Sequence, residues 1–159
     1  MDVHVARPGA ESGEALYQRL IMERTRQPRH AGVIEPADHA ADGSNPFCGD
    51  KVHVTLALSP EGHVGRAMHR TRGCAICTAS ADLMAESVAG LDAFAIRSLF
   101  ERFDAMLREG LPESPDDPRR QGLGLLIAFG NLHEYRSRIR CATLPWAALL
   151  DALKSERTI

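Results

Sequence analysis

The chain has 159 residues, 44% of them hydrophobic and 25% charged, with a formal net charge of -2. That length and apolar fraction suit one domain with one core. The near balance of charge argues against the basic excess of a nucleic-acid partner, and no apolar run is long enough to cross a membrane.

The stretch Met1 to Glu14 carries Glu11 and Glu14 and no apolar segment of the signal-peptide kind. The expectation is a cytoplasmic protein with residues 1–13 as a disordered lead-in and 14–159 as a single domain. From Glu14 to Arg26 the spacing predicts a helix, with Leu16, Leu20 and Ile21 on the apolar face and Gln18, Arg19, Glu23 and Arg24 solvated. Pro28 ends it. Residues 33–44 have a weak pattern that admits an edge strand. The period then changes to two: Val52, Val54, Leu56 and Leu58 alternate with His53, Thr55 and Ala57. Ser59-Pro60-Glu61-Gly62 is a turn, and His63 to Thr71 completes a hairpin. Cys77 to Val88 reads as a helix stopped by Gly90. Asp92 caps the next, Ala93 to Arg108, where Ile96, Leu99, Phe100, Phe103 and Leu107 keep three-four spacing. Pro112, Pro115 and Pro118 make Leu111 to Gln121 a surface loop. Leu123 to Tyr135 reads as an apolar helix and Arg136 to Arg140 as a connector. A last helix is expected to start near Pro145 and bury Trp146, Leu149, Leu150 and Leu153. The fold class is α+β, a small antiparallel sheet packed against a helical layer.

The chemistry concentrates in the cysteines. In a reducing compartment, four cysteines point to metal or sulfur chemistry before disulfides. Cys48 lies in the turn-forming stretch Asn45-Pro46-Phe47-Cys48-Gly49-Asp50, before the first strong strand. Cys74 lies between a strand and a helix, and Cys141 ahead of the last helix. A thiol ahead of a helix meets its positive end, which favours thiolate. Arg72, Arg138 and Arg140 are expected to lower the thiol pKa values further. Cys48, Cys74 and Cys141 with the Asp50 carboxylate make four ligands, which suits zinc or an iron–sulfur cluster with one non-sulfur position. An oxygen ligand on a soft site binds weakly, as an exchangeable site needs. Cys74-Ala75-Ile76-Cys77 is a C-x-x-C in which Cys77 reads as a small core residue; the alternative is an all-cysteine site with Asp50 behind it. The seven histidines read as surface or half-buried side chains, with His53 and His69 on strands and facing away from the larger apolar side.

The order of motifs resembles a known family. It runs from Leu16-Tyr17-Gln18-Arg19-Leu20-Ile21-Met22 through Pro28-Arg29-His30-Ala31-Gly32 to Asn45-Pro46-Phe47-Cys48-Gly49-Asp50. It continues with Gly73-Cys74-Ala75-Ile76, Ala79-Ser80 and Arg138-Ile139-Arg140-Cys141-Ala142-Thr143-Leu144 with Trp146. This resembles the IscU/NifU N-terminal family of iron–sulfur cluster assembly proteins, and most of all its SufU branch. The branch is suggested by the long proline-rich interval between Cys74 and Cys141, and by Arg140 where the IscU branch has histidine. The resemblance implies zinc on Cys48, Asp50, Cys74 and Cys141. It implies Cys48 as acceptor of persulfide sulfur, with Arg138 as a supporting positive charge. It also implies a SufS-type cysteine desulfurase as partner, followed by downstream iron–sulfur assembly machinery. Cys77 stands where the family usually has serine, and Arg136 where it has proline. Two other readings stand beside sulfur transfer: a scaffold building a transient [2Fe–2S] cluster on the same ligands, and a small structural zinc protein.

Overall fold

The computed structural model describes residues 13–154, so the expected lead-in at 1–13, apart from Gly13, and the last residues, 155–159, lie outside the described residues. The elements are α1 (Gly13–Arg26), β1 (His39–Asn45), β2 (Asp50–Leu58), β3 (Val64–Arg72), α2 (Ala75–Ser87), α3 (Ala93–Glu109) and α4 (Ile139–Lys154). The strands form one antiparallel sheet in the order β1-β2-β3. The weak stretch 33–44 thus supplies a full strand, paired to β2 from His39↔Leu56 to Asn45↔Asp50. At the same end of the sheet Lys51 pairs with Arg72. The three chain segments that carry Cys48, Asp50 and Cys74 therefore finish side by side.

The alternation read in β2 holds at Val52, Val54 and Leu56, which are buried, but Thr55 on the other face is buried too and Leu58 is only half-buried. The helices cover the face of Val52, Val54 and Leu56, with α4 against β1 and β2, and α2 against α4, α1 and β3. Helix α2 is buried on most sides, and its Ala79, Ser80, Ala81 and Ala85 are small enough for neighbours to approach closely. Helix α3 is amphipathic as read, burying Ile96, Leu99, Phe103, Met106 and Leu107. Phe103 packs edge-on to Phe129 at 5.8 Å and against Trp146 at 5.1 Å, closing the core.

Several readings change. Residues 123–135 do not form an α-helix but two short 3-10 helices, Gly124–Phe129 and Leu132–Glu134, followed by a third at Arg136–Arg138. Helix α2 begins at Ala75, two residues before Cys77. Helix α4 begins at Ile139, so Cys141 sits inside its first turn and Pro145 lies within the helix. Proline has no N–H, so Pro145 gives the Cys141 carbonyl no helical bond.

Another change is His69, which is 1% exposed and faces inward beside Ala67. Its Nε2 lies 2.9 Å from Asp82 Oδ1 and its Nδ1 2.8 Å from Thr71 Oγ1. Asp82 also accepts from Arg24 at 3.0 Å and from the backbone N–H groups of Arg29 and His30 at 2.9 and 2.8 Å. The second Arg24 nitrogen pairs with Glu86 at 2.9 Å. Burial alone would raise the Asp82 carboxyl; the bonds from His69, the two backbone groups and Arg24 outweigh it and hold it far below the usual carboxylate range. Arg24, read as solvated, is 1% exposed. This cluster ties α1, the loop after it, β3 and α2 together.

Candidate metal centre

The turn between β1 and β2 is set by Asn45. Its side-chain oxygen accepts from the Phe47 N–H at 3.1 Å, and its carbonyl accepts from Cys48 at 3.3 Å and Gly49 at 2.9 Å. Gly49 has φ +75°, a left-handed conformation that suits glycine. The result points two neighbouring donors in different directions: Cys48 is exposed, while Asp50 is buried.

The inward Asp50 carboxylate is the hub. Oδ1 accepts from the Cys74 N–H at 2.9 Å; Oδ2 accepts from the Cys48 thiol at 3.0 Å and lies 3.7 Å from Cys74 Sγ. Cys74 is the N-cap of α2, and its sulfur accepts from the Cys77 N–H at 3.4 Å. Cys141 Sγ reaches the same point from α4: donor atoms of Cys48, Asp50 and Cys141 all lie within 4.8 Å of one another. All four residues singled out in the sequence are thus brought together. Arg138 is exposed and stands on the Cys74 side, lining with Tyr17, Cys74 and Tyr135 a groove of about 530 Å³ whose walls do not include Cys48.

The electrostatics depart from the sequence reading at Cys141. Burial foremost, then the hydrogen bond with Cys74 and the charges of Cys74 and Asp50, push its thiol up to about 12, so neighbouring Arg138 and Arg140 do not govern it. Burial also raises Cys77, which is fully enclosed in the core, as expected of a core residue. Asp50 moves the other way. Burial would raise it, but hydrogen bonds from Cys48, the Cys74 N–H, Cys141 and Cys74 bring it below the usual carboxylate range. The donor set is therefore a carboxylate ringed by three thiols, Cys141 buried, Cys74 half-buried and Cys48 exposed. Three soft sulfurs and one oxygen fit a zinc ion, which would replace the thiol protons as counter-charge.

Gly73 makes the cradle. A Cβ there would collide with the Asp50 carboxylate. Gly73→Ala is expected to push Asp50 aside and weaken zinc retention by roughly tenfold or more. Competition with a chromogenic chelator measures this; unchanged retention would count against Asp50 as a ligand.

Among the described residues, no helix is long and apolar enough to cross a membrane. Residues 16–142 match the family described as the NifU-like N terminal domain. The chain is 31% identical over 143 residues to the zinc-dependent sulfurtransferase SufU of Bacillus subtilis (strain 168), covering 90% of this chain and 92% of that one. It is 30% identical over 139 residues to the iron-sulfur cluster assembly scaffold protein IscU of Thermotoga maritima, covering 87% and 93%. Its fold superposes on the putative iron-sulfur cluster assembly scaffold protein for the SUF system from Fervidobacterium islandicum with a TM-score of 0.77, at 26% identity and covering 90% and 100% of the two chains. The motifs read in the sequence, the sheet-and-helix architecture and these likenesses agree: the chain belongs to the family of NifU-like N-terminal domains that includes SufU and IscU proteins.

Proposed function

We propose that this chain is a cytoplasmic, single-domain iron–sulfur cluster assembly protein that accepts sulfur on Cys48 from a SufS-type cysteine desulfurase. The zinc it uses would be held by Cys48, Asp50, Cys74 and Cys141. The observation that carries the reading is the exposure of one donor among buried ones. Cys48 stands on a turn held by Asn45, while Asp50 and Cys141 are buried and Cys74 is half-buried. A donor that must leave the centre to meet a partner belongs at that position. Likeness to a protein named as a zinc-dependent sulfurtransferase supports the same choice.

Zinc, when bound, would hold the thiolates deprotonated. The chain's own residues do the rest. Asp50 Oδ2, 3.0 Å from Cys48 Sγ, holds that sulfur or its proton while the turn is closed. When the turn opens, the Cys48 thiolate attacks the outer sulfur of the partner's persulfide. The new S–S bond forms on Cys48, the old one breaks, and the electron pair leaves on the partner's cysteine thiolate. Oxidation state is conserved, so no further oxidant is needed. Arg138, on the Cys74 side, adds positive charge for the incoming anion.

The test is metal analysis of the purified protein with an assay of alanine release by a SufS-type desulfurase. Bound zinc and stimulated alanine release are expected. Iron with acid-labile sulfide, and no stimulation, would favour the scaffold reading that the IscU relatives suggest. Zinc without stimulation would favour a structural zinc protein.

A further inference from the structure

Beside Cys48 lies a set of cations that the centre does not use. Lys51 directly follows Asp50 and is the cross-strand partner of Arg72. Arg70 lies two residues before Arg72, on the same face of β3 and in the same surface depression as Lys51. Arg140 precedes Cys141, and its guanidinium carbon lies 5.6 Å from the centroid of the Phe47 ring. Phe47 precedes Cys48 and is 85% exposed.

All four cations are exposed, and among the described residues none has an ion-pair partner. Exposed arginines elsewhere divide: Arg29, Arg108 and Arg119 pair with Glu23, Asp104 and Asp117, while Arg66, Arg97 and Arg136 show no ion pair among the described residues. Like charges directly opposite across two strands, as Lys51 and Arg72 are, repel and cost stability unless an anion joins them. The acid on that sheet face, Asp42, is engaged by His53 at 2.8 Å. The groove beside Arg138 differs, since Glu14 and Glu134 share its walls. In a chain of net charge -2, Lys51, Arg70, Arg72 and Arg140 thus stand as a cluster of four exposed cations near the turn that exposes Cys48. Beside it stand an exposed aromatic ring and an arginine, the side chains that most often anchor protein interfaces.

We propose that Lys51, Arg70, Arg72 and Arg140, with Phe47, form the docking surface for the sulfur donor, and that the donor presents carboxylates around its persulfide cysteine. The inference rests on the sulfur-acceptor reading and gives that partner its surface chemistry. Cations would steer the encounter, and Phe47 would be buried on contact.

The experiment titrates a SufS-type desulfurase, supplied with L-cysteine, with the zinc-loaded chain at low and high salt, and measures binding of the two proteins directly. The variants are Lys51→Glu/Arg72→Glu and Phe47→Ala/Arg140→Glu, each checked for zinc content. The expected result is a rise of about tenfold or more in KM and Kd for each pair, with kcat at saturation and zinc content within about twofold. High salt should weaken the unaltered chain and affect the variants less. Equal KM for variants and unaltered chain, with no salt effect, overturns the docking surface and leaves sulfur acceptance standing. Loss of zinc in the variants overturns it too, because the cations would then serve the centre itself. So does RNA binding that the substitutions remove while desulfurase binding persists. Absence of binding and stimulation by the unaltered chain overturns both readings.

Discussion

Cys48→Ala is expected to lower stimulation of the desulfurase on the order of a hundredfold, the largest effect of any single thiol. The reason is access. Sulfur transfer needs a thiolate that can line up with the S–S bond it attacks. Cys77 is fully enclosed and Cys141 is 3% exposed, so neither reaches a partner without unfolding its helix. Cys74 is half-buried and tied to the Asp50 carboxylate and the Cys77 N–H. It sets the residual rate. Alanine release, with mass spectrometry of persulfide on the chain, measures the effect. The same substitution leaves Asp50, Cys74 and Cys141 in place, so part of the zinc should remain. Full stimulation by the alanine variant, or persulfide formed on another cysteine at the normal rate, would remove Cys48 from its role.

The second large effect falls on stability. Asp82→Ala is expected to cost about 3–5 kcal/mol, because it leaves the buried Arg24 guanidinium with Glu86 alone and strands two backbone N–H groups at once. Urea unfolding checks the size, and a loss under about 1 kcal/mol would show the cluster to be dispensable. The pH dependence has a definite sign. The folded-state Asp82 carboxyl lies below its unfolded value, so its contribution is complete above about pH 4. It is lost as pH falls from there toward the folded value. The unaltered chain should therefore lose stability in acid more steeply than Asp82→Ala. A paired replacement, Arg24→Met with Asp82→Leu, should recover only the part due to the buried guanidinium, since the Arg29 and His30 N–H groups still lack their acceptor.

The elements that could be read from the sequence are those fixed by neighbours in the chain. The alternation of Val52, Val54 and Leu56 needs only a pleat with one covered face. The stretch from Asn45 to Asp50 needs only a turn that aims two donors, and its residues carry that turn in their own hydrogen bonds. What escaped depends on distant partners. Leu123 to Tyr135 is rich in apolar residues, but they wrap under α1 and α3 in short 3-10 helices, where Gly124, at φ +52°, and Gly130 interrupt a regular helix. His69 and Arg24 look like ordinary polar residues until Asp82 reaches them from 13 and 58 positions away. One signal was present: a lone aspartate inside the apolar run Ala79 to Met84 needs a buried partner. The start of α4 was misplaced because proline favours a first turn. Here it is tolerated further in, where its missing N–H leaves only the Cys141 carbonyl without a donor.

Ser80 is buried in α2, and its hydroxyl donates to the Ala142 carbonyl at 2.6 Å. One short bond thus rivets the helix that begins after Cys74 to the helix that contains Cys141. Those two sulfurs sit on a single stiff body, while Cys48 hangs from a four-residue loop anchored at Asn45. On the proposed reading the centre divides into a fixed side and a side that would move. Opening it needs only a few backbone torsions between Asn45 and Asp50, with the core left undisturbed. On the proposed sulfur-acceptor reading, loading and unloading would ask nothing of the core.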